Sequence, residues 1–249
     1  MRVIGHVLKK EIFSYFVSPV VYVVISIFML LTGLIYFIFL VDYLSRQNVT
    51  YLNLSIDFIS PFFYFINIFI LIFLIPVLTM RTFAEEKSRG TMELLLTYPV
   101  RDTEILLGKF AATLFVFFLM LLYTGVFLIY LFLGSSPETG MLVSVYLGTF
   151  LVGSVFISVG LLASSMTENQ IIAVILAFGI NLSLLFIRWI GPVNADWLSS
   201  LTRYISVSEH LEPMLDGIIN STDIIYFISM IFFFLFLTNR VLLSKKWRS

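Results

Sequence analysis

The side chains able to do chemistry in this 249-residue sequence are few and unevenly placed. There are no cysteines, which excludes disulfides, thiolate metal sites, iron–sulfur clusters and cysteine nucleophiles. His6 and His210 are the two histidines, and the apolar windows described below put them on opposite faces of a membrane, so one chain cannot pair them. Glu209, His210 and Glu212 are close enough to suggest a metal site, but a lone imidazole between carboxylates reads better as solvated surface. A phosphate-cradling loop requires G-x-x-x-x-G-K-[ST]. Gly108-Lys109 is followed by Phe110, and Thr103 stands where the first glycine belongs. No such loop exists here, so energy taken from a nucleotide has to enter through another polypeptide.

The densest polar stretch runs from Arg81 to Lys109, RTFAEEKSRGTMELLLTYPVRDTEILLGK. Glu85 and Glu86 lie four and three residues before Arg89, the spacing for helical ion pairs, while Met92, Leu95 and Leu96 give a short apolar face. Tyr98-Pro99 ends that helix, because the residue before proline disfavours the α conformation. Asp102 or Thr103 can then cap the helix that follows. The pattern predicts a short helix across the mouth of a membrane bundle. It is either a docking surface for a protein partner or an ordinary solvated connector.

The elements that must position this loop are set by hydropathy. Sixty per cent of residues are apolar, 27 are phenylalanine and 12% are charged, with a mean hydropathy of +1.04. That leaves too little polar surface to coat a soluble globule. Uncharged windows occur at Ile12–Val41, Phe58–Met80, Phe110–Pro137, Thr139–Thr167, Asn169–Ile187 and Ile224–Asn239. A span needs about 20 apolar residues, so six transmembrane helices are predicted, Val241 to Leu243 completing the last and Ser164–Gln170 turning the fourth into the fifth. The first window is too long, and lacks the cleavage site, for a removed signal peptide. Net charge is zero, which argues for no nucleic-acid partner.

Orientation follows from Lys and Arg near span ends. With the N-terminus inside, all the basic residues except Arg46, Arg188 and Arg203 fall inside, whereas the acids divide almost evenly. Both termini and the 81–104 loop are therefore expected in the cytoplasm. Residues 1–17 form a separate amphipathic helix, with Val3, Ile4, Val7, Leu8, Ile12, Tyr15 and Phe16 on one arc and His6, Lys9 and Lys10 opposite. Glu11 falls on the apolar arc and so calls for a protein partner. Ser18-Pro19 marks the bend into the membrane domain, residues 18–249.

Ion-coupled carriers place a titratable group deep in the membrane, and the six windows hold none; they hold Asn67, Asn181, Ser26, Thr32, Ser154 and Ser158, read as hydrogen bonders of helix packing. No cluster of acid, base and nucleophile supports an intramembrane enzyme. Pro76 is expected to kink the helix that feeds the polar loop.

The residues Phe83-Ala84-Glu85-Glu86-Lys87, Gly90-Thr91-Met92-Glu93-Leu94-Leu95-Leu96, Tyr98-Pro99-Val100 and Leu107-Gly108-Lys109-Phe110 resemble the permease subunits of type-two ABC exporters, and within them the branch associated with gliding motility. Lys9-Lys10-Glu11 with Ser18-Pro19, Ser165 to Gln170 and Gly217 to Asn220 extend the resemblance over nearly the whole chain. It implies an all-α integral membrane protein in which Glu85 to Leu96 form a coupling helix docked on an ABC ATPase, with Glu85, Glu86, Arg89, Gly90, Glu93 and Leu96 meeting that partner. It implies an interfacial connecting helix bearing Lys9, Lys10 and Glu11, and an outer segment within 191–222 that folds back toward the membrane. It also implies no cofactor in this chain, with ATP and magnesium held by the ATPase, and a second permease subunit to complete the pathway. A membrane scaffold converting ATPase motion into mechanical work is the alternative.

Overall fold

The structure, a computed structural model, describes residues 2–45, 55–91, 102–134, 138–189 and 196–246. Every described element is helical. Helix α1 (Arg2–Val17) is followed, after Ser18, by α2 (Pro19–Ser45), the first span. The second span is α3 (Ser60–Phe65), α4 (Ile72–Thr79) and α5 (Arg81–Ser88), with π-helical turns at Ser55–Ile59 and Ile66–Leu71. Then come α6 (Asp102–Gly134), α7 (Thr139–Met166) and α8 (Gln170–Phe186), the short helices α9 (Asp196–Ile205) and α10 (Val207–Leu215), and α11 (Ser221–Lys246). Six helical stretches are long and apolar enough to cross a membrane, in agreement with the six windows. The protein is an all-α integral membrane protein.

Burial sorts the spans. Over their most apolar windows the second and fourth are 72% and 78% buried, the first, fifth and sixth 22% each. Spans two and four therefore form the interior, and the others present apolar faces outward, as a lipid solvent permits. Span four can sit centrally because its glycines admit neighbours at close range. A Cβ on Gly153 would lie 2.2 Å from the Phe117 ring, one on Gly160 2.0 Å from Thr79 Oγ1, and one on Gly148 3.0 Å from Met214 Cβ. Three different elements thus seat on one helix. Rings fill the wider gaps: Tyr36 lies 5.5 Å from Phe58 and 4.8 Å from Phe127, linking spans one to three, and Phe73 stacks on Phe178 at 4.7 Å, linking two to five.

Of the polar residues inside the spans, Asn67 acts as expected, its Nδ2 donating to Thr149 Oγ1 at 3.0 Å across spans two and four. Thr32, Ser154 and Ser158 instead donate to carbonyls of their own helices, to Phe28, Phe150 and Val155.

The segment between spans five and six is not a loose loop. Leu211 and Met214 of α10 are fully buried, and Ser144 Oγ donates to the Met214 carbonyl at 2.8 Å. Gly148, which Met214 covers, lies about 13 Å along α7 from its start at 1.5 Å per residue, so α10 runs well down the bundle. The reading of Glu209, His210 and Glu212 as solvated surface holds for the two glutamates, 39% and 40% exposed, and is corrected for His210, which is 12% exposed. His210 Nδ1 is 2.7 Å from Asp223 Oδ1, Nε2 is 3.1 Å from the Tyr204 carbonyl, and the ring stacks on Tyr226 at 3.9 Å. Arg188 at the end of span five binds Glu212 at 2.7 Å and Glu209 at 3.6 Å. The reason is that spans five and six bring Arg188, Asp223 and Tyr226 against α10, so charges adjacent in sequence find partners distant in sequence. Among the described residues no three His, Asp or Glu side chains converge as a metal site.

Candidate functional site

The polar loop begins at the end of span two and returns at the start of span three, and its joint with span two is built around Ser164. Pro76 has no N–H to give the carbonyl four residues back, and the helix divides at Met80, between α4 and α5. Ser164 Oγ donates to the Met80 carbonyl at 3.0 Å and accepts from the N–H groups of Phe83 at 3.1 Å and Ala84 at 3.0 Å. A hydroxyl from the end of span four thus satisfies the backbone groups that the division leaves open. Lys87 Nζ donates to the neighbouring Ser165 carbonyl. Together these bonds hold α5 to the turn between spans four and five.

At the far end of α5 the N–H of Arg89 bonds the Glu85 carbonyl, that of Gly90 bonds the Lys87 carbonyl, and Gly90 has φ 68°. This is a left-handed helix stop that glycine adopts without steric cost. It corrects the expectation of one coupling helix from Glu85 to Leu96: the helix bearing Glu85 and Glu86 ends at Ser88. Glu93 and Leu96, with the apolar face of Met92 and Leu95 and the Tyr98-Pro99 stop, lie outside the described residues.

The two glutamates then part ways. Glu85 stays with the loop, its Oε1 2.6 Å from Arg89 Nη2 and its Oε2 3.9 Å from Arg81 Nε. Glu86, read from sequence as a second partner for Arg89 and a docking residue, turns inward: its Oε1 is 2.8 Å from Lys109 Nζ. Lys109, on the second turn of α6, is 2% exposed and also binds Glu11 Oε1 of α1 at 3.0 Å. The Phe83 ring lies 5.3 Å from the ammonium. One buried cation therefore ties α1, the end of span two and the start of span three together.

The helix pair that carries this triad is shaped to allow it. A Cβ on Gly108 would lie 2.6 Å from Val7 Cγ1, so glycine is what lets α1 approach α6. One helical turn beyond Glu11, Tyr15 Oη lies 2.7 Å from Thr113 Oγ1, whose proton goes to the Lys109 carbonyl at 2.9 Å. The threonine hydroxyl has one proton to give, so Tyr15 donates to it. Burial pushes the Tyr15 phenol well above its ordinary range, which keeps that donor protonated. Lys9 and Lys10 are on the exposed side of α1, as their sequence positions suggest, while Glu11 points into the protein. Its place on the apolar arc is explained by Lys109.

Between α1 and α5 lies a half-open polar cavity of about 260 Å³, lined among others by Lys10, Glu11, Arg81, Glu86 and Arg89. Sequence reasoning found the loop and the unpaired Glu11, but not Lys109 or Ser164 as the residues that organise them. The available signal was a lone lysine near the start of an otherwise apolar helix.

The model of the ABC-2 family transporter protein matches residues 44–243, most of the chain, leaving α1 and much of the first span outside the match. No curated protein matches. With six apolar spans arranged around a packed interior and this match over more than half its length, the chain belongs to the ABC-2 family of transporter proteins and is a membrane-embedded permease component.

Proposed function

We propose that the chain is the membrane-spanning subunit of an ATP-driven exporter, coupled to a separate ATPase that holds ATP and magnesium and docks on the loop 81–104. In this reading Glu85, Arg89 and Gly90, with Glu93 and Leu96 further along the loop, meet the ATPase. Glu86 and Glu11 act behind that surface by holding Lys109. The observation that carries the reading is the Lys109 triad: it joins both ends of the loop to α1, so force delivered to the loop reaches spans two and three and the N-terminal helix as one unit. Lys9 and Lys10 face lipid headgroups along the membrane plane, and a second permease, identical or different, completes the pathway. The finer placement near the gliding-motility branch rests on overall resemblance, the loop motifs being shared by many branches of the superfamily. The chain lies in the cytoplasmic membrane with both termini inside.

The absence of native cysteine makes the orientation directly testable with single introduced thiols and a membrane-impermeant maleimide. Glu138→Cys, exposed at the start of span four, should label in intact cells, and Ser88→Cys, exposed at the end of α5, only after permeabilisation. The reverse pattern would place the loop outside and remove the ATPase from reach.

A further inference from the structure

A second surface lies at the same end of the bundle as the loop, between spans four and six. Leu162 and Met166 of α7 and Leu237, Arg240, Val241 and Ser244 of α11 line an open groove of about 370 Å³. All but Arg240 and Ser244 are aliphatic, and Ser244 spends its proton on the Val241 carbonyl. The groove is therefore apolar, Arg240 lining it with its methylene stem and carrying its charged head at the edge. That guanidinium sits over the Phe236 ring, 4.9 Å from its centre, and pairs with no carboxylate among the described residues. The cations around the loop are used differently: Lys109 and Arg89 bind carboxylates and Lys87 a carbonyl. Arg240 is exposed and is followed in sequence by Lys245, Lys246 and Arg248.

An apolar groove along two spans, with an unpaired arginine head at its edge, suits a chain of methylenes ending in an anion. We propose that this groove binds a single anionic diacyl phospholipid, one acyl chain lying along Leu162, Met166 and Leu237 and the phosphate meeting Arg240. The aromatic ring beneath the guanidinium holds it at the headgroup level, and arginine presents a planar fork suited to phosphate oxygens. In the orientation proposed above the groove opens to the cytoplasmic leaflet, where basic pockets between helices select anionic headgroups. The site itself depends on the groove and Arg240, not on that orientation.

The test uses the full purified chain in detergent, titrated with palmitoyl-oleoyl phosphatidylglycerol or with the phosphatidylcholine of the same chains, bound lipid being counted by native mass spectrometry. Because no leaflet exists in a micelle, a wrong orientation leaves the outcome unchanged. The wild type should retain phosphatidylglycerol in preference to phosphatidylcholine. Arg240→Gln should weaken phosphatidylglycerol binding about fivefold, the scale of one basic contact at a headgroup, with phosphatidylcholine unaffected. Arg240→Lys should restore most of it. Met166→Trp, which fills the groove from a half-exposed position, should weaken both lipids, and Arg203→Gln at the opposite end neither. Equal phosphatidylglycerol binding by wild type and Arg240→Gln overturns the site. So does a change of oligomeric state in Arg240→Gln with lipid binding intact, which would make the groove a contact between copies.

Discussion

Lys109→Met should lower the unfolding free energy of the purified protein by about 3 kcal/mol, the lower end of what removing one partner of a buried pair costs. Glu11 and Glu86 are left facing each other beside the Phe83 ring at 13% and 20% exposure, partly hydrated, which is why the lower end applies. Against a typical total of about 5–15 kcal/mol this is a large fraction. The variant should still insert, since methionine only raises the hydropathy of span three. Adding Glu11→Gln and Glu86→Gln should recover most of the loss, because neutral amides leave no uncompensated charge in the cluster. Thermal unfolding in detergent, followed by tryptophan fluorescence, reads both effects. A triple variant no more stable than Lys109→Met would mean that the loss does not come from uncompensated carboxylates, and would contradict this account of the triad.

The second large effect is expected at Gly160→Ala. A single methyl there lands 2.0 Å from Thr79 Oγ1 and 2.7 Å from Thr79 Cβ. Thr79 is fully buried and its hydroxyl already bonds the Ile75 carbonyl at 3.0 Å, so it has little freedom to rotate away. Overpacking of this kind costs about 1–3 kcal/mol. Here it also separates the two most buried spans just below the Ser164 joint. Thr79→Ala removes the nearest atom and should return part of the loss when combined with Gly160→Ala. Gly179→Ala, on the exposed side of span five with open space at its Cβ position, should be neutral. Melting temperatures of the four proteins decide it. A neutral Gly160→Ala would show that spans two and four are less closely apposed than the geometry requires.

The six spans were legible because lipid removes the usual competition: a stretch of 16 or more uncharged residues has few options but to cross. The N-terminal helix and its end at Ser18-Pro19 were legible from periodicity and from proline chemistry. Charge partnership was harder. Glu85–Arg89 follows a local spacing rule and came out as read, but Glu86 obeys the same rule and was drawn away by Lys109, 23 residues on. The residues Glu209, His210 and Glu212 show the same failure: their partners Arg188 and Asp223 sit on different helices. Local rules cannot rank a nearby exposed cation against a buried one that tertiary packing brings within 3 Å. The stop at Gly90 was half visible. A glycine at that position permits either a close approach or a positive φ, and only the backbone shows that φ is positive and that the helix ends there. The π-helical turns at Ser55–Ile59 and Ile66–Leu71 left no compositional trace at all.

The central claim is that the loop meets an ATPase, and the most direct measurement is site-specific crosslinking in cells that co-express the genes flanking this one, among which an ATP-binding-cassette ATPase is expected. Thr91→Cys, exposed just past the Gly90 stop, carries a short thiol–amine crosslinker, and Glu138→Cys at the opposite end of the bundle serves as its counterpart. The expected result is an adduct between Thr91→Cys and the ATPase, identified by mass spectrometry, none from Glu138→Cys, and ATP hydrolysis by the co-purified complex but not by this chain alone. Adducts from Glu138→Cys with none from Thr91→Cys, or ATP hydrolysis by the isolated chain at the rate of the complex, would contradict it.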